Sequence, residues 1–314
     1  MRCLLCANEC QIGEGEIGYC GLRTAHQGRL LHLAGTPARG LLHWYRDPLP
    51  TNCVAMRVCA GRGQRGRHNL AVFYGGCTFN CLSCQNWHYR DLLPSRAEIA
   101  TVRTQVSEAP TRSRRRRGLS AQGLAAVADS STFCVCYFGG DPSSQMPHAL
   151  ASAVLLAERG VAICWETNGA ANPRLMARAV ELSLQTRGTV KFDLKALDEN
   201  LHLALTGLSN LQTLANFAQA ARRFAERPEP PLVVASTLLV PGYVDAEEVA
   251  RIARFIAGFS PQIPYVLLGF APNFYMPDLP CTSLGHAEEA EAAARSAGLA
   301  NVQVANRHLL SCDY

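Results

Sequence analysis

Three cysteines within eight residues, Cys77-Thr78-Phe79-Asn80-Cys81-Leu82-Ser83-Cys84, limit what this chain can become more than any other feature. The run follows an apolar segment at residues 70–74 that ends in Gly75-Gly76, so it opens a loop directly after a strand-like stretch. With 14 cysteines in 314 residues, chance would produce this C-x3-C-x2-C spacing only about 0.03 times, which makes packing thiols a poor explanation. Three thiolates in one loop can hold three irons of a four-iron cluster and leave the fourth without a protein ligand. An open metal position is where a substrate can bind, by the logic that separates catalytic from structural zinc.

Composition narrows the setting. At 48% hydrophobic and 18% charged residues, with 25 Gly and 17 Pro, the chain is globular rather than disordered, collagenous or coiled-coil. It is too long for a disulfide-stapled mini-protein, and its first thirty residues hold four cysteines in place of a secretory apolar segment. No apolar helical stretch approaches the ~18 residues that span a bilayer. A cytoplasmic protein with reduced thiols and no membrane partner is expected. The net charge of +5 is concentrated at Arg57, Arg62, Arg65 and Arg67 and again at Arg112, Arg114, Arg115, Arg116 and Arg117. Such runs read as solvated loops, and nucleic-acid contact is not expected.

From residue 69 onward, short apolar runs alternate with amphipathic stretches. Strands are expected at residues 70–74, 132–138, 161–165, 189–194, 232–240 and 265–270. Helices are expected at 121–128, with Ser120 as N-cap, and at 144–159, 173–184, 211–227, 246–257 and 285–297. Such alternation implies parallel strands with right-handed crossovers. Only six units are visible and residues 98–118 look like a polar insertion, so the fold class expected is α/β, an open (β/α)6 partial TIM barrel. Residues 1–68 are expected to form a cysteine-rich N-terminal module and lead-in, a small appendage to a barrel domain at 69–314. Ligands in such folds sit at the carboxyl ends of the strands, where the unusual residue groups of the barrel fall.

The cysteine loop resembles that of the radical S-adenosylmethionine (radical SAM) superfamily. The resemblance implies a [4Fe-4S] cluster on Cys77, Cys81 and Cys84 whose open iron binds the amino and carboxylate groups of SAM. Reductive cleavage of SAM would then yield a 5′-deoxyadenosyl radical that abstracts hydrogen from a substrate. Gly139-Gly140-Asp141-Pro142 is similar to the family's glycine-glycine-glutamate-proline segment, which contacts the SAM ammonium, with Asp for Glu. Glu166-Thr167-Asn168-Gly169 and Lys191-Phe192-Asp193-Leu194-Lys195 look like paired segments of pyruvate formate-lyase activating enzyme and its relatives. His202, Thr206-Gly207 and residues 240–245 continue the likeness in order. In those relatives an acid, a threonine, a second acid and a backbone carbonyl hold a monovalent cation beside SAM. Carried over, these positions are Glu166, Thr167, Asp193 and the carbonyl of Lys191, while Lys195 would meet the SAM carboxylate. The family usually has Asp where Glu166 stands. Ser83 departs from a frequent aromatic that touches the adenine, for which Phe79, Trp87 and His88 are the available substitutes, and residues 268–273 lack a histidine found in relatives.

Upstream, Cys3, Cys6, Cys10 and Cys20 form C-x2-C-x3-C-x9-C, four thiolates able to close a zinc site or hold a second Fe-S cluster. Similar cysteines accompany activating-enzyme-like proteins with an N-terminal cysteine module. Cys53 and Cys59 lie before the barrel without an assigned role. Cys134, Cys136, Cys164 and Cys281 are expected at core or strand-end positions, and Cys312 fits either role. The resemblance also implies a flavodoxin or ferredoxin-type reductant and suggests a protein or peptide substrate. The competing class is a non-catalytic zinc or Fe-S module that binds RNA or carries electrons. Acids and a lysine at consecutive strand ends have no use in such a module.

Overall fold

The computed structural model of the chain describes residues 1–104 and 118–311. The arginines at 112 and 114–117, most of the expected insertion and Cys312 lie outside the described residues. In chain order the strands are β1 (Arg23–His26), β2 (Arg29–His32), β3 (Leu42–Pro48), β4 (His68–Tyr74), β5 (Thr132–Phe138), β6 (Ala162–Thr167), β7 (Val190–Asp193), β8 (Val233–Leu239), β9 (Tyr265–Gly269) and β10 (Val302–Ala305). The helices are α1 (Arg96–Thr104), α2 (Ala121–Ala125), α3 (Met146–Ala157), α4 (Pro173–Gln185), α5 (Glu199–Thr206), α6 (Leu211–Ala221), α7 (Ala246–Ala257) and α8 (Leu284–Ser296).

Eight strands form one sheet in the order β10-β9-β8-β7-β6-β5-β4-β3. From β4 to β10 every pairing is parallel, and β3 closes one edge antiparallel to β4. All six expected strands are present in their expected order. The six-unit count is corrected by β10, a seventh parallel strand, and by β3. Both lack the apolar run that marks a buried strand: β10 is four residues with alternating burial, and β3 carries His, Arg, Asp and Pro on an edge. The helices start where local chemistry demands. Ser120, Asp198, Asp245 and Ser283 each accept a backbone N–H three residues on, and Gly207 ends α5 at φ +79°.

Successive strand residues face opposite sides. Outward, Leu70, Val72, Val135, Tyr137, Ile163, Trp165, Val190 and Phe192 pack with the helices into one large core. Inward, the same strands present Asn69, Ala71, Cys134, Cys136, Cys164, Glu166 and Lys191. Residues 53–59 cross this inner side, with Val54 and Ala55 packed on Val234 and Val266. The segment before residue 68 is therefore woven into the barrel, because β3 pairs along the length of β4.

The first twenty residues dock on the carboxyl edge of the sheet. Ala7 N donates to Ala170 O (2.9 Å), Asn172 N to Leu5 O (2.9 Å) and Asn8 Nδ2 to Thr78 O (2.8 Å). Among the described residues no helix is long and apolar enough to cross a membrane.

Candidate functional site

The loop of Cys77, Cys81 and Cys84 lies across the carboxyl ends of the strands and is tied down from three directions. Asn80 N donates to Thr206 O (2.8 Å) and Leu82 N to Leu205 O (2.9 Å), fastening it to the end of α5. Asn168, just after β6, donates through Nδ2 to Thr78 Oγ1 (2.8 Å) and to Cys77 Sγ (3.7 Å). After β9, Asn273 Nδ2 donates to Cys84 O (3.3 Å). Gly140, at φ +39°, lets the end of β5 pass beneath the loop: a Cβ there would stand 2.3 Å from Gly76 O and 2.5 Å from Tyr74 O.

All three cysteines are free thiols. Burial raises each of them above the ordinary thiol value, Cys81 to about 12 although Lys195 pulls it down. Cluster ligation needs the thiolate form, so binding there would be coupled to proton release. Lys195 pairs with Asp193 Oδ2 and acts electrostatically on Cys81 and Cys84. Asp193 Oδ1 is buried without a hydrogen-bond partner. A buried unpartnered carboxylate oxygen beside a lysine and three thiols is an incomplete arrangement that an added polar ligand would complete.

Other expected residues are placed less directly. Asp141 is buried, and its carboxylate accepts from Ser143 N (2.7 Å), Asn168 N (2.7 Å) and Thr167 Oγ1 (3.2 Å). Burial raises it to about 6, against the pull of these donors. Its side chain thus braces the ends of β5 and β6 from below. Glu166 and Thr167, neighbours on β6, point to opposite faces: Thr167 joins Asp141 and Ser143, while Glu166 meets Lys191 Nζ at 3.0 Å. The structure does not bring these two side chains together. Among the described residues no three His, Cys, Asp or Glu converge closely enough to hold one metal ion. A cubane makes no such demand, because each iron takes its own thiolate.

Phe79 is buried edge-on against His202, Trp87 stacks on Phe274 at the surface, and His88 stacks on Phe73 (5.0 Å). The four N-terminal cysteines line one pocket with Tyr19 and Arg23. Arg23 is 1% exposed and has only backbone acceptors, the carbonyls of Leu22, Ala34 and Ser144. Sequence reasoning missed three contributors: the Asn168 clamp, buried Arg23, and the Lys191 side chain, for which only the carbonyl had been considered. Asn168 and Lys191 stand inside segments already singled out, and their side-chain chemistry was the available signal.

A parallel α/β sheet with a three-thiol loop, an incomplete acid and a lysine at its carboxyl edge defines a protein built to hold a cofactor there. The chain belongs to the radical SAM superfamily, whose family model, "Radical SAM superfamily", matches residues 71–256. It is 31% identical over 191 residues to the pyruvate formate-lyase-activating enzyme of Staphylococcus aureus, covering 59% of this chain and 67% of that one. In fold it is similar to Streptococcus suis SuiB bound to precursor peptide SuiA, with a TM-score of 0.50 at 15% identity over 74% of this chain and 47% of that one. The protein is a radical SAM enzyme, and its family implies a [4Fe-4S] cluster and SAM.

Proposed function

We propose that Cys77, Cys81 and Cys84 hold the [4Fe-4S] cluster and that Gly139, Gly140, Asp193 and Lys195 seat SAM against it. The observation that carries this reading is the unpartnered Asp193 Oδ1 beside Lys195, whose charge acts on two of the three cysteines. The residues fit the group: three unbridged cysteines in one loop, a glycine turn with no room for a Cβ, and a buried polar atom still to be satisfied. When bound, cluster and SAM supply a 5′-deoxyadenosyl radical for hydrogen abstraction, and the chain's task is orientation and shielding. Lys195 supplies a positive charge for the carboxylate of SAM, and Asp193 Oδ1 an acceptor for its ammonium. Backbone carbonyls freed by Gly139 and Gly140 approach closely, while Asp141 positions that turn.

A protein or peptide is the substrate class favoured by the similarity to an activating enzyme, and a flavodoxin or ferredoxin-type reductant would deliver the electron. Free thiols among the described residues suit the cytoplasm. Residues 69–314 are read as the catalytic unit and 1–68 as its module and lead-in. Cys3, Cys6, Cys10 and Cys20 would hold a second Fe-S cluster or zinc, with Arg23 as countercharge. For a monovalent cation, Glu166 and Asp193 offer oxygens, although Lys191 already meets the charge of Glu166. Anaerobic reconstitution followed by dithionite and SAM tests the whole reading: methionine and 5′-deoxyadenosine are the expected products, and their absence in a cluster-loaded sample sinks it.

A further inference from the structure

Inside the barrel lies a cavity of about 190 Å3 that the proposed SAM site does not use. Five thiols line it: Cys53 and Cys59 from the crossing segment, Cys134 and Cys136 from β5, and Cys164 from β6. They come from three parts of the chain yet act on one another electrostatically, with Cys164 as the hub that reaches Cys53, Cys59, Cys134 and Cys136. Into this group projects Lys191, 3% exposed, with Nζ 3.0 Å from Cys136 Sγ and 3.7 Å from Cys53 Sγ. Its carboxylate partner is Glu166, at 3.0 Å and partly open to solvent. The cavity extends to Asn86, two positions after Cys84, and so lies on the inner side of the cluster loop.

Core cysteines are ordinarily scattered among apolar neighbours. Here Cys53 and Cys59 pack beside Val54 and Ala55, and Cys134 and Cys164 beside Leu49 and Ala162, but all four also border one shared volume, and a buried ammonium lies within hydrogen-bond reach of sulfur. Sulfur side chains gathered around one volume are ligands for a soft metal, and a buried ammonium beside them offsets the negative charge that a thiolate-ligated centre carries. One ion is a poor match. Bonds of about 2.3 Å would leave most of the cavity unfilled, and among the described residues no three such side chains converge on a point. A polynuclear centre spreads its ligands over separate irons and fills the space.

We propose that this cavity holds an iron–sulfur cluster, ligated by Cys53, Cys59, Cys134 and Cys164, with Lys191 as its fixed countercharge. Cys136, nearer to Lys191 Nζ than Cys53 is (3.0 against 3.7 Å), stays with the lysine and donates no ligand. The crossing segment then does more than plug the barrel: it brings two thiols to the two that β5 and β6 present on the inner face.

The test is iron and acid-labile sulfide analysis of the full chain after anaerobic reconstitution with Fe(II) and sulfide, beside a Cys53→Ser, Cys59→Ser double variant treated identically. The double variant should contain about four fewer irons and four fewer sulfides per chain, with the radical-SAM loop and the N-terminal quartet untouched. A second measurement needs no variant. In the reconstituted native chain, Cys53, Cys59, Cys134 and Cys164 should resist alkylation at least tenfold more than in the metal-free chain, as read by peptide mapping. Equal iron in the two proteins, zinc lost in place of iron, or four thiols alkylated as fast with iron as without it overturns the proposal. If the double variant does not fold, the alkylation result decides. Neither measurement involves SAM, so failure here is distinct from failure of the function proposed above.

Discussion

The two faces of the central sheet differ in what their buried polar groups meet. Beneath the helices of the first half of the sheet they are paired within the protein: Trp165 Nε1 donates to Ala179 O (3.1 Å), Tyr137 OH shares a hydrogen bond with Ser152 Oγ (2.9 Å), and His148 is bonded through both ring nitrogens, while Asn216 Oδ1 on α6 is left without a partner. On the inner face and its carboxyl edge, thiols gather around Lys191, and Asp193 Oδ1 has no partner. A satisfied group adds stability and asks for nothing more, whereas an unsatisfied one costs free energy until something binds. Stability and ligand chemistry are thus divided between two sides of the same strands, and substitutions on each side should fail in different ways.

The largest effect is expected at the edge. Replacing Cys77, Cys81 and Cys84 together by Ala should reduce 5′-deoxyadenosine formation to background, since the loop keeps its backbone anchors but loses every cluster ligand. The fold should persist because those anchors are main-chain bonds to Thr206 and Leu205. Product formation surviving in this variant would remove the cluster assignment and with it the functional half of the comparison.

On the helical face the loss should be one of stability. Trp165 is fully buried, stacked on Tyr137 at 4.6 Å. Trp165→Ala should cost about 4 kcal/mol through lost burial and a cavity, measured by denaturant unfolding. A cost below about 1 kcal/mol would show that this face does not carry the core.

His148 gives the same face a pH signature. Its Nδ1 meets Tyr74 OH (2.7 Å) and its Nε2 meets Leu119 O (2.9 Å), and burial pushes its pKa from 6.5 down to about 4. Between those values the unfolded chain binds a proton that the folded chain refuses. Stability is therefore full above about pH 6.5 and declines as the pH falls toward 4, by about 3 kcal/mol in all. Urea midpoints at pH 7.5 and 5 should differ, and His148→Gln should remove most of that difference.

How much of this was legible follows from how local each feature is. The radical-SAM loop is a matter of spacing within eight residues, and the six expected strands announce themselves as apolar runs. Neither β10 nor β3 carries such a run: β10 has four residues of alternating burial, and β3 has seven but with His, Arg, Asp and Pro along an edge. That Glu166 and Thr167 face apart was available from the two-residue period of a strand and needed only to be applied. That Cys134 and Cys136 share a face is equally local. Cys53 and Cys59 are different: they reach the thiol group only because residues 53–59 cross the inner face, a packing event between segments far apart in the chain that no periodicity encodes.

The smallest expected effect is the sharpest on the division between faces. Lys195 pairs with Asp193 at a strand end where both side chains are partly exposed, 20% and 30%. If that pair serves only the fold, Lys195→Ala should change stability slightly and SAM affinity not at all, since partly exposed pairs contribute about 0 to 1 kcal/mol. If it serves the ligand, removing one charged hydrogen bond to a carboxylate should weaken SAM binding about tenfold or more. Equilibrium binding to the reconstituted protein, with a melting curve on the same sample, separates the two. A tenfold weaker affinity with a nearly unmoved melting temperature places Lys195 on the functional side. The opposite pattern, stability lost and affinity kept, would assign it to the scaffold and leave Asp193 Oδ1 unanswered beside it.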